Sequence, residues 1–210
     1  MNVLGIGAHF DDIELGCGGT LAAHVENGDR VWTYVATHSG YQDPSGKVIR
    51  DVRVAEKEGK KAADILGVTM IGGNFETNNL LFTDKLVCAI LSLVEKFSID
   101  TIYTHWIEDV HQDHFAVGKA SIAAGRHVPR VLMYRSNDYD SKEAFTGTYY
   151  VDITSTIETK QSAIRAHQSE LKRVNGIWLE NSVARSRLVG SQFGVAHAES
   201  FQIVKYLSPR

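Results

Sequence analysis

The chain has 210 residues, 43% hydrophobic and 22% charged, with a formal net charge of −3. That length is enough to bury one full core, so a single domain over 1–210 is expected, and the charge balance offers no basic stripe for nucleic acid. No apolar run approaches the ~20 residues of a membrane span, the start "MNVLGIGAHF" lacks a basic n-region and a cleavage site, and Cys17 and Cys88 make no disulfide framework. A cytoplasmic protein is expected.

"NVLGIG" (Asn2 to Gly7) predicts a buried strand, and "GGTLAAHVENG" the helix after it, ended by Gly28. "RVWTYVAT" (Arg30 to Thr37) is a second strand. The polar loop "HSGYQDPSGK" leads into the charged helix "RDVRVAEKEGKKAADILG", stopped at Gly67, and "VTMIGG" is a short strand. Leu86, Ile90, Leu93 and Phe97 fall at helical spacing in "TDKLVCAILSLVEKF". "DTIYTHW" (Asp100 to Trp106) is the next strand, followed by a helix in "DHFAVGKASIAAG" and a strand in "RVLMYRS". "TYYVDIT" reads as a further strand, then a long helix starts near Ser155, with Ser155 and Glu158 as a capping box. Strands alternating with helices and no linker or repeat predict an α/β, Rossmann-like three-layer sandwich with a mainly parallel sheet.

In open α/β sheets ligands sit outside the carboxyl ends of the strands. That rule brings together His9, Asp11 and Asp12 after the first strand, His38 after the second, and the run from His105 to His114. A dinucleotide site is disfavoured: in "GIGAHF" Phe10 stands where a third glycine belongs, and Asp11 and Asp12 would repel a pyrophosphate.

Imidazole and carboxylate are the donors a catalytic zinc takes, three from the protein with one position left for water. Asp11 and Asp12 are adjacent on a turn, so their side chains diverge, and one can reach a metal while the other faces substrate as a base. In "HQDH" one of His111 and His114 can bind while the other stays free, with Asp113 orienting the free ring. Taken alone, "HQDH" could be a solvated helix cap and the Asp pair an ordinary turn. Their coincidence at strand ends of one sheet favours a site.

"AHFDDIELGCGGT" closely resembles the A-H-P-D-D-x-E signature of the PIG-L/LmbE-like zinc-dependent N-deacetylases, and "HQDH" resembles their H-x-D-H. "RVAEKEGKKAADILGV", "KQSAIRAHQSE" and "AESF" are similar to further family stretches in the same order, so the resemblance spans nearly the whole chain. It implies His9, Asp12 and His114 as zinc ligands, Asp11 as general base, His111 as the group serving the oxyanion or the leaving amine, and Asp113 tuning His111. It also implies Arg53 as the substrate arginine, an N-acetylglucosamine-like conjugate as substrate, release of acetate, and a homo-oligomer, in several relatives a hexamer. His38 and Tyr41 are further candidates for substrate contact, Tyr41 as a stacking face on a loop that is either a lid or a solvated segment.

The same ligand set also suits Fe2+ or another divalent metal, so a non-haem Fe(II) enzyme is the metal-site alternative, and a non-catalytic sugar-binding relative is the other. The sequence departs from the family at Phe10, where the motif has proline, at Glu170, where glutamine is usual, and at Asp109, where some relatives have tyrosine. His167 and Glu199 are expected in supporting roles, and His24, His127 and His197 as ordinary residues.

Overall fold

The computed structural model describes residues 1–208. Its elements are β1 (Asn2–Gly7), α1 (Asp12–Glu26), β2 (Arg30–Thr37), β3 (Tyr41–Gln42), β4 (Val48–Arg50), α2 (Val52–Leu66), β5 (Thr69–Phe75) and α3 (Asp84–Lys96). They continue with β6 (Thr101–His105), α4 (Gln112–Ala124), β7 (Arg130–Tyr134), β8 (Tyr149–Asp152), α5 (Ile157–Ala166), α6 (Gln168–Arg173), α7 (Ile177–Ser191) and β9 (Ala198–Tyr206). Seven strands form one sheet in the order β5-β2-β1-β6-β7-β9-β8, the first five parallel and β9 antiparallel to both its neighbours. This is the α/β, Rossmann-like, mainly parallel architecture expected.

β1 is buried along nearly its whole length because helices cover both faces of the sheet. Its alternation sends Leu4 and Ile6 into the core under α3 and α4, with Ile90 and Val117, and Val3 into the opposite core with Ile13, Leu21 and Leu132. Strand order reverses at β1, which pairs with β2 on one side and β6 on the other, so the chain leaves β1 and β6 beside the crevice such sheets use for ligands.

Three local expectations need correction. α1 starts at Asp12 rather than in the glycines, and it is two helical pieces joined at Cys17, where φ is −145°. A buried ion pair satisfies the broken backbone. Lys160 donates to the Leu15 carbonyl (2.9 Å) and to Glu199 (2.5 Å), while the Glu199 carboxylate accepts from the N–H groups of Gly19 (3.1 Å) and Thr20 (2.8 Å).

The long helix expected from Ser155 is three helices, broken between α6 and α7 at Asn175 and Gly176, both with positive φ. No capping box forms: Thr156 is the N-cap, and its hydroxyl is drawn away to the Gly19 carbonyl (2.8 Å). β9 has no counterpart among the expected strands; it inserts between β7 and β8 as the antiparallel part of the sheet.

Lys160→Met leaves the Glu199 charge buried without its partner, and the expected loss of stability is about 3–5 kcal/mol. Urea unfolding measures it; a loss under about 1 kcal/mol, as for an exposed pair, contradicts the role given to this ion pair.

Candidate functional site

At the carboxyl ends of β1 and β6 the chain opens a cavity of about 550 Å³ lined by His9, Asp11, Asp12, His111 and His114. Asp12 is 4% exposed. Its Oδ2 accepts from the backbone N–H groups of His9 (2.7 Å) and Ala8 (3.1 Å), and its Oδ1 accepts from the Ser136 hydroxyl (3.2 Å). His9 Nδ1 lies 3.3 Å from Asp12 Oδ2, His114 Nε2 lies 3.1 Å from Asp12 Oδ1, and the two ring nitrogens are 3.3 Å apart. A tetrahedral ion with bonds of about 2.0–2.1 Å asks its ligands to stand about 3.3–3.4 Å apart, so this trio fits a divalent metal.

Each histidine of the trio has its own carboxylate on the far ring nitrogen. Asp113, with no exposed surface, accepts a hydrogen bond from His9 Nε2–H at 2.9 Å and from the N–H groups of Asn78 (2.7 Å) and Leu80 (3.0 Å). Asp109 Oδ2 lies 3.1 Å from His114 Nδ1 and is held by the Asn137 amide at 2.7 Å. The family resemblance leads one to expect Asp113 to tune His111, and Asp109 to give none of the oxyanion help of the tyrosine some relatives have there; the geometry places Asp113 against His9 and Asp109 against His114. Such carboxylates fix tautomer and ring orientation.

His111 is instead tied by its backbone position. It is the N-cap of α4, and its Nδ1 accepts the Asp113 N–H at 3.2 Å. An N–H can only donate, so Nδ1 is the bare nitrogen and Nε2 carries the proton. Burial, then the neighbouring His114 and His9, lower the His111 pKa to about 4, which keeps the ring neutral at pH 7.

Asp11 joins β1 to α1 with φ 128°, a conformation that costs a non-glycine residue about 1–3 kcal/mol. Arg50 holds it there: its guanidinium, on a side chain with little exposure, donates to Asp11 Oδ2 (3.3 Å), to the Phe10 carbonyl (2.9 Å) and to Glu58 (3.2 Å). Burial raises the Asp11 pKa to about 7, with Arg50 opposing the rise and Asp12 adding to it. Asp11 and Asp12 thus point apart, Asp12 toward the histidines and Asp11 toward Arg50.

Arg53 does not line the cavity. Asp51 caps α2 by accepting the Arg53 N–H at 2.9 Å, which puts Arg53 in the exposed first turn while Arg50, at the end of β4, points inward. His38 is also off the cavity lining, its Nδ1 accepting the Gly40 N–H at 3.2 Å. Tyr41 lines it and donates to Glu170 Oε1 at 3.2 Å, so Glu170 has a partner of its own at the position of the usual glutamine. His167 is buried beside Arg50 (3.4 Å) and Glu14 (3.5 Å), a supporting position.

The Phe10 substitution has a physical basis. Its N–H donates to the Ser39 hydroxyl at 2.8 Å, a bond proline cannot make, and its ring packs on α2 where a Cβ on Gly59 would come within 2.3 Å of it. His105 lies underneath, fully buried and stacked on His114 with ring centroids 4.0 Å apart; its Nε2 lies 3.1 Å from Asp12 Oδ2. Two overlapping groups, His9/His111/His114 and Asp12/His105/His114, meet the spacing for a metal site, and His114 belongs to both.

The family profile described as PIG-L: GlcNAc-PI de-N-acetylase matches residues 4–125. The chain belongs to the PIG-L family. PIG-L deacetylases are metal-dependent N-deacetylases, and the overlapping His/Asp groups around His114 supply this chain's candidate metal site. An uncharacterized deacetylase of Escherichia coli (strain K12), YaiS, is 35% identical over 141 residues, 64% of this chain and 73% of that protein. The diacetylchitobiose deacetylase of Thermococcus kodakarensis is 27% identical over 96% of this chain and 82% of its own length. A conserved protein of Thermus thermophilus has the same fold, with a TM-score of 0.83 and 24% identity over 100% of this chain and 97% of that one. Among the described residues no helix is long and apolar enough to cross a membrane.

Without metal, His9 and His114 carry protons. Burial works against them, but Asp113 and Asp12 raise His9 to about 9, and Asp12 and Asp109 raise His114 to about 10. Folded-state values above the ordinary 6.5 mean that this contribution to stability is complete below pH 6.5 and is lost as pH climbs through about 9 and about 10. The metal-free protein is expected to lose stability over that range while its affinity for zinc rises, because metal displaces those protons. Urea midpoints and zinc titrations across the range measure both, and flat profiles contradict it.

Proposed function

We propose that the chain hydrolyses the N-acetyl group of an N-acetylglucosamine-like sugar conjugate, giving a free amine and acetate, with His9, Asp12 and His114 holding zinc. The single observation that carries this reading is Asp11: a buried carboxylate lining the cavity and held by Arg50, beside the proposed ligand trio but outside it. A site that only bound metal or sugar would have no use for it. Zinc held by the trio would lower the pKa of a bound water and polarise the acetyl carbonyl.

The chain's own groups supply the remaining steps. Asp11 takes a proton from the attacking water as its oxygen bonds to the acetyl carbon. His111, neutral with its proton on Nε2, donates a hydrogen bond to the oxygen that becomes negative. A neutral imidazole is too weak an acid to protonate an amine, so the proton gained by Asp11 passes to the nitrogen as the C–N bond breaks. Arg50 keeps Asp11 in its strained conformation and aimed at the water.

A sugar ring suits the rest of the cavity. Tyr41 and Trp178 offer aromatic faces, and Glu170, Asn137 and Asn181 offer hydrogen-bonding groups for hydroxyls. The name of the Thermococcus relative and the description of the family profile both point to N-acetylglucosamine units.

Acetate release from a panel of N-acetylglucosamine conjugates tests the activity. Asp11→Ala is expected to keep zinc and lose about 10²–10⁴-fold in kcat, whereas His114→Ala loses zinc and activity together. Equal zinc loss in the two variants, or acetate release untouched by Asp11→Ala, contradicts this division of roles.

A further inference from the structure

A second cavity, of about 200 Å³, lies among α1, α7 and β9 and shares Leu15 and Arg185 with the catalytic one. Three cationic side chains, Arg135, Lys160 and Arg185, face it against one carboxylate, Glu199. Lys160 and Glu199 neutralise each other at 2.5 Å, and their further hydrogen bonds go to α1, to backbone groups at its break and to the Thr20 hydroxyl (2.6 Å). Two guanidinium groups remain.

Arg185 is engaged by Asp138 and by the Arg135 carbonyl (3.0 Å), whereas Arg135 is not fully matched. Arg135 donates from NH2 to the Tyr139 carbonyl at 2.6 Å, but its Nε–H is buried without a partner, and among the described residues no carboxylate pairs with it. Arg185 reaches out to Asp138 (2.5 Å), a half-exposed residue on the wall of the catalytic cavity. Burial, and the charge of Arg135 nearby, hold the Arg185 pKa below its ordinary value against the pull of Asp138. Ser182, 3% exposed, lines the same space, and its hydroxyl also has no partner among the described residues. Buried donors left without acceptors are costly, and donors on charged groups more so.

We propose that this cavity is a binding site for a small oxyanion, a carboxylate of the size of acetate or an inorganic phosphate, held by Arg135, Arg185 and Ser182. The buried Arg135 Nε–H and the Ser182 hydroxyl both lack an acceptor among the described residues, and the Arg135 guanidinium faces no carboxylate partner there, which favours an anion over water. Guanidinium groups give oxyanions short, charge-assisted hydrogen bonds. Because Arg185 spans both cavities, an anion that draws on it loosens the hold on Asp138 and so changes the wall of the catalytic cavity. Acetate is also the product of the proposed reaction, which makes it a ligand the site would meet in turnover.

The test is calorimetric titration of the zinc-loaded full chain with sodium acetate, with sodium phosphate and with neutral acetamide, with no substrate present. Saturable one-to-one binding of either anion and none of acetamide is expected, with the affinity falling about tenfold or more in Ser182→Ala and binding abolished in Arg135→Gln. Binding of acetate alone assigns a carboxylate site, and binding of phosphate alone a phosphate site. Absence of binding by both anions, or binding unchanged in Ser182→Ala, overturns the proposal, the second result placing the anion in the catalytic cavity. Ser182→Ala removes one hydroxyl, so the result stands even where Arg135→Gln does not fold.

Discussion

Everything at the head of the sheet is arranged around one carboxylate. Asp12 is buried, and its two oxygens collect the backbone N–H groups of Ala8 and His9, the Ser136 hydroxyl and contacts from the rings of His9, His105 and His114. Burial opposes its charge, but the imidazoles around it hold its pKa well below the ordinary carboxylate value. A fixed negative charge there dictates the neighbours. The histidines must face it, their own outer nitrogens must be held by Asp113 and Asp109, and the adjacent Asp11 must turn away.

Turning Asp11 away is costly, and the surrounding structure is built to sustain it. The left-handed backbone at Asp11 is held by Arg50 bridging its side chain and the Phe10 carbonyl, and by the Phe10 N–H on Ser39. Phe10 then anchors the turn in the core against α2. In place of a proline ring that fixes φ, this chain uses a hydrogen bond and an aromatic ring to secure the same strand end. The helix that follows is broken at Cys17, and the Lys160–Glu199 pair closes the break from α5 and β9. Segments far apart in sequence thus support one turn.

Much of this was legible in the sequence where a local rule applied. β1 and β2 have the bounds read from their apolar runs, since a strand buried on both faces announces itself by continuous hydrophobicity. His9, Asp11, Asp12, His111 and His114 stood out because polar residues at a buried strand end have no structural purpose of their own. What stayed hidden depended on contacts across the sheet. One local signal separates Arg50 from Arg53: Asp51, an N-cap residue that leaves Arg53 on the exposed helix and Arg50 before it. Asp113 lies beside His111 in sequence but meets His9 in space, because the first turn of α4 directs it under the loop at Asn78. β9 stayed unread as an antiparallel insert, and Glu199 within it found its partner on α5.

His9, Asp12 and His114 are the proposed metal ligands, rather than the overlapping sets that include His105 or His111. Anomalous diffraction from zinc-loaded crystals at the zinc absorption edge tests this assignment most directly. The account predicts one strong peak within bonding distance of His9 Nδ1, His114 Nε2 and the Asp12 carboxylate, with Asp11 and His111 beyond bonding distance. A peak bonded to His105 or to His111, or one that leaves out Asp12, would contradict it.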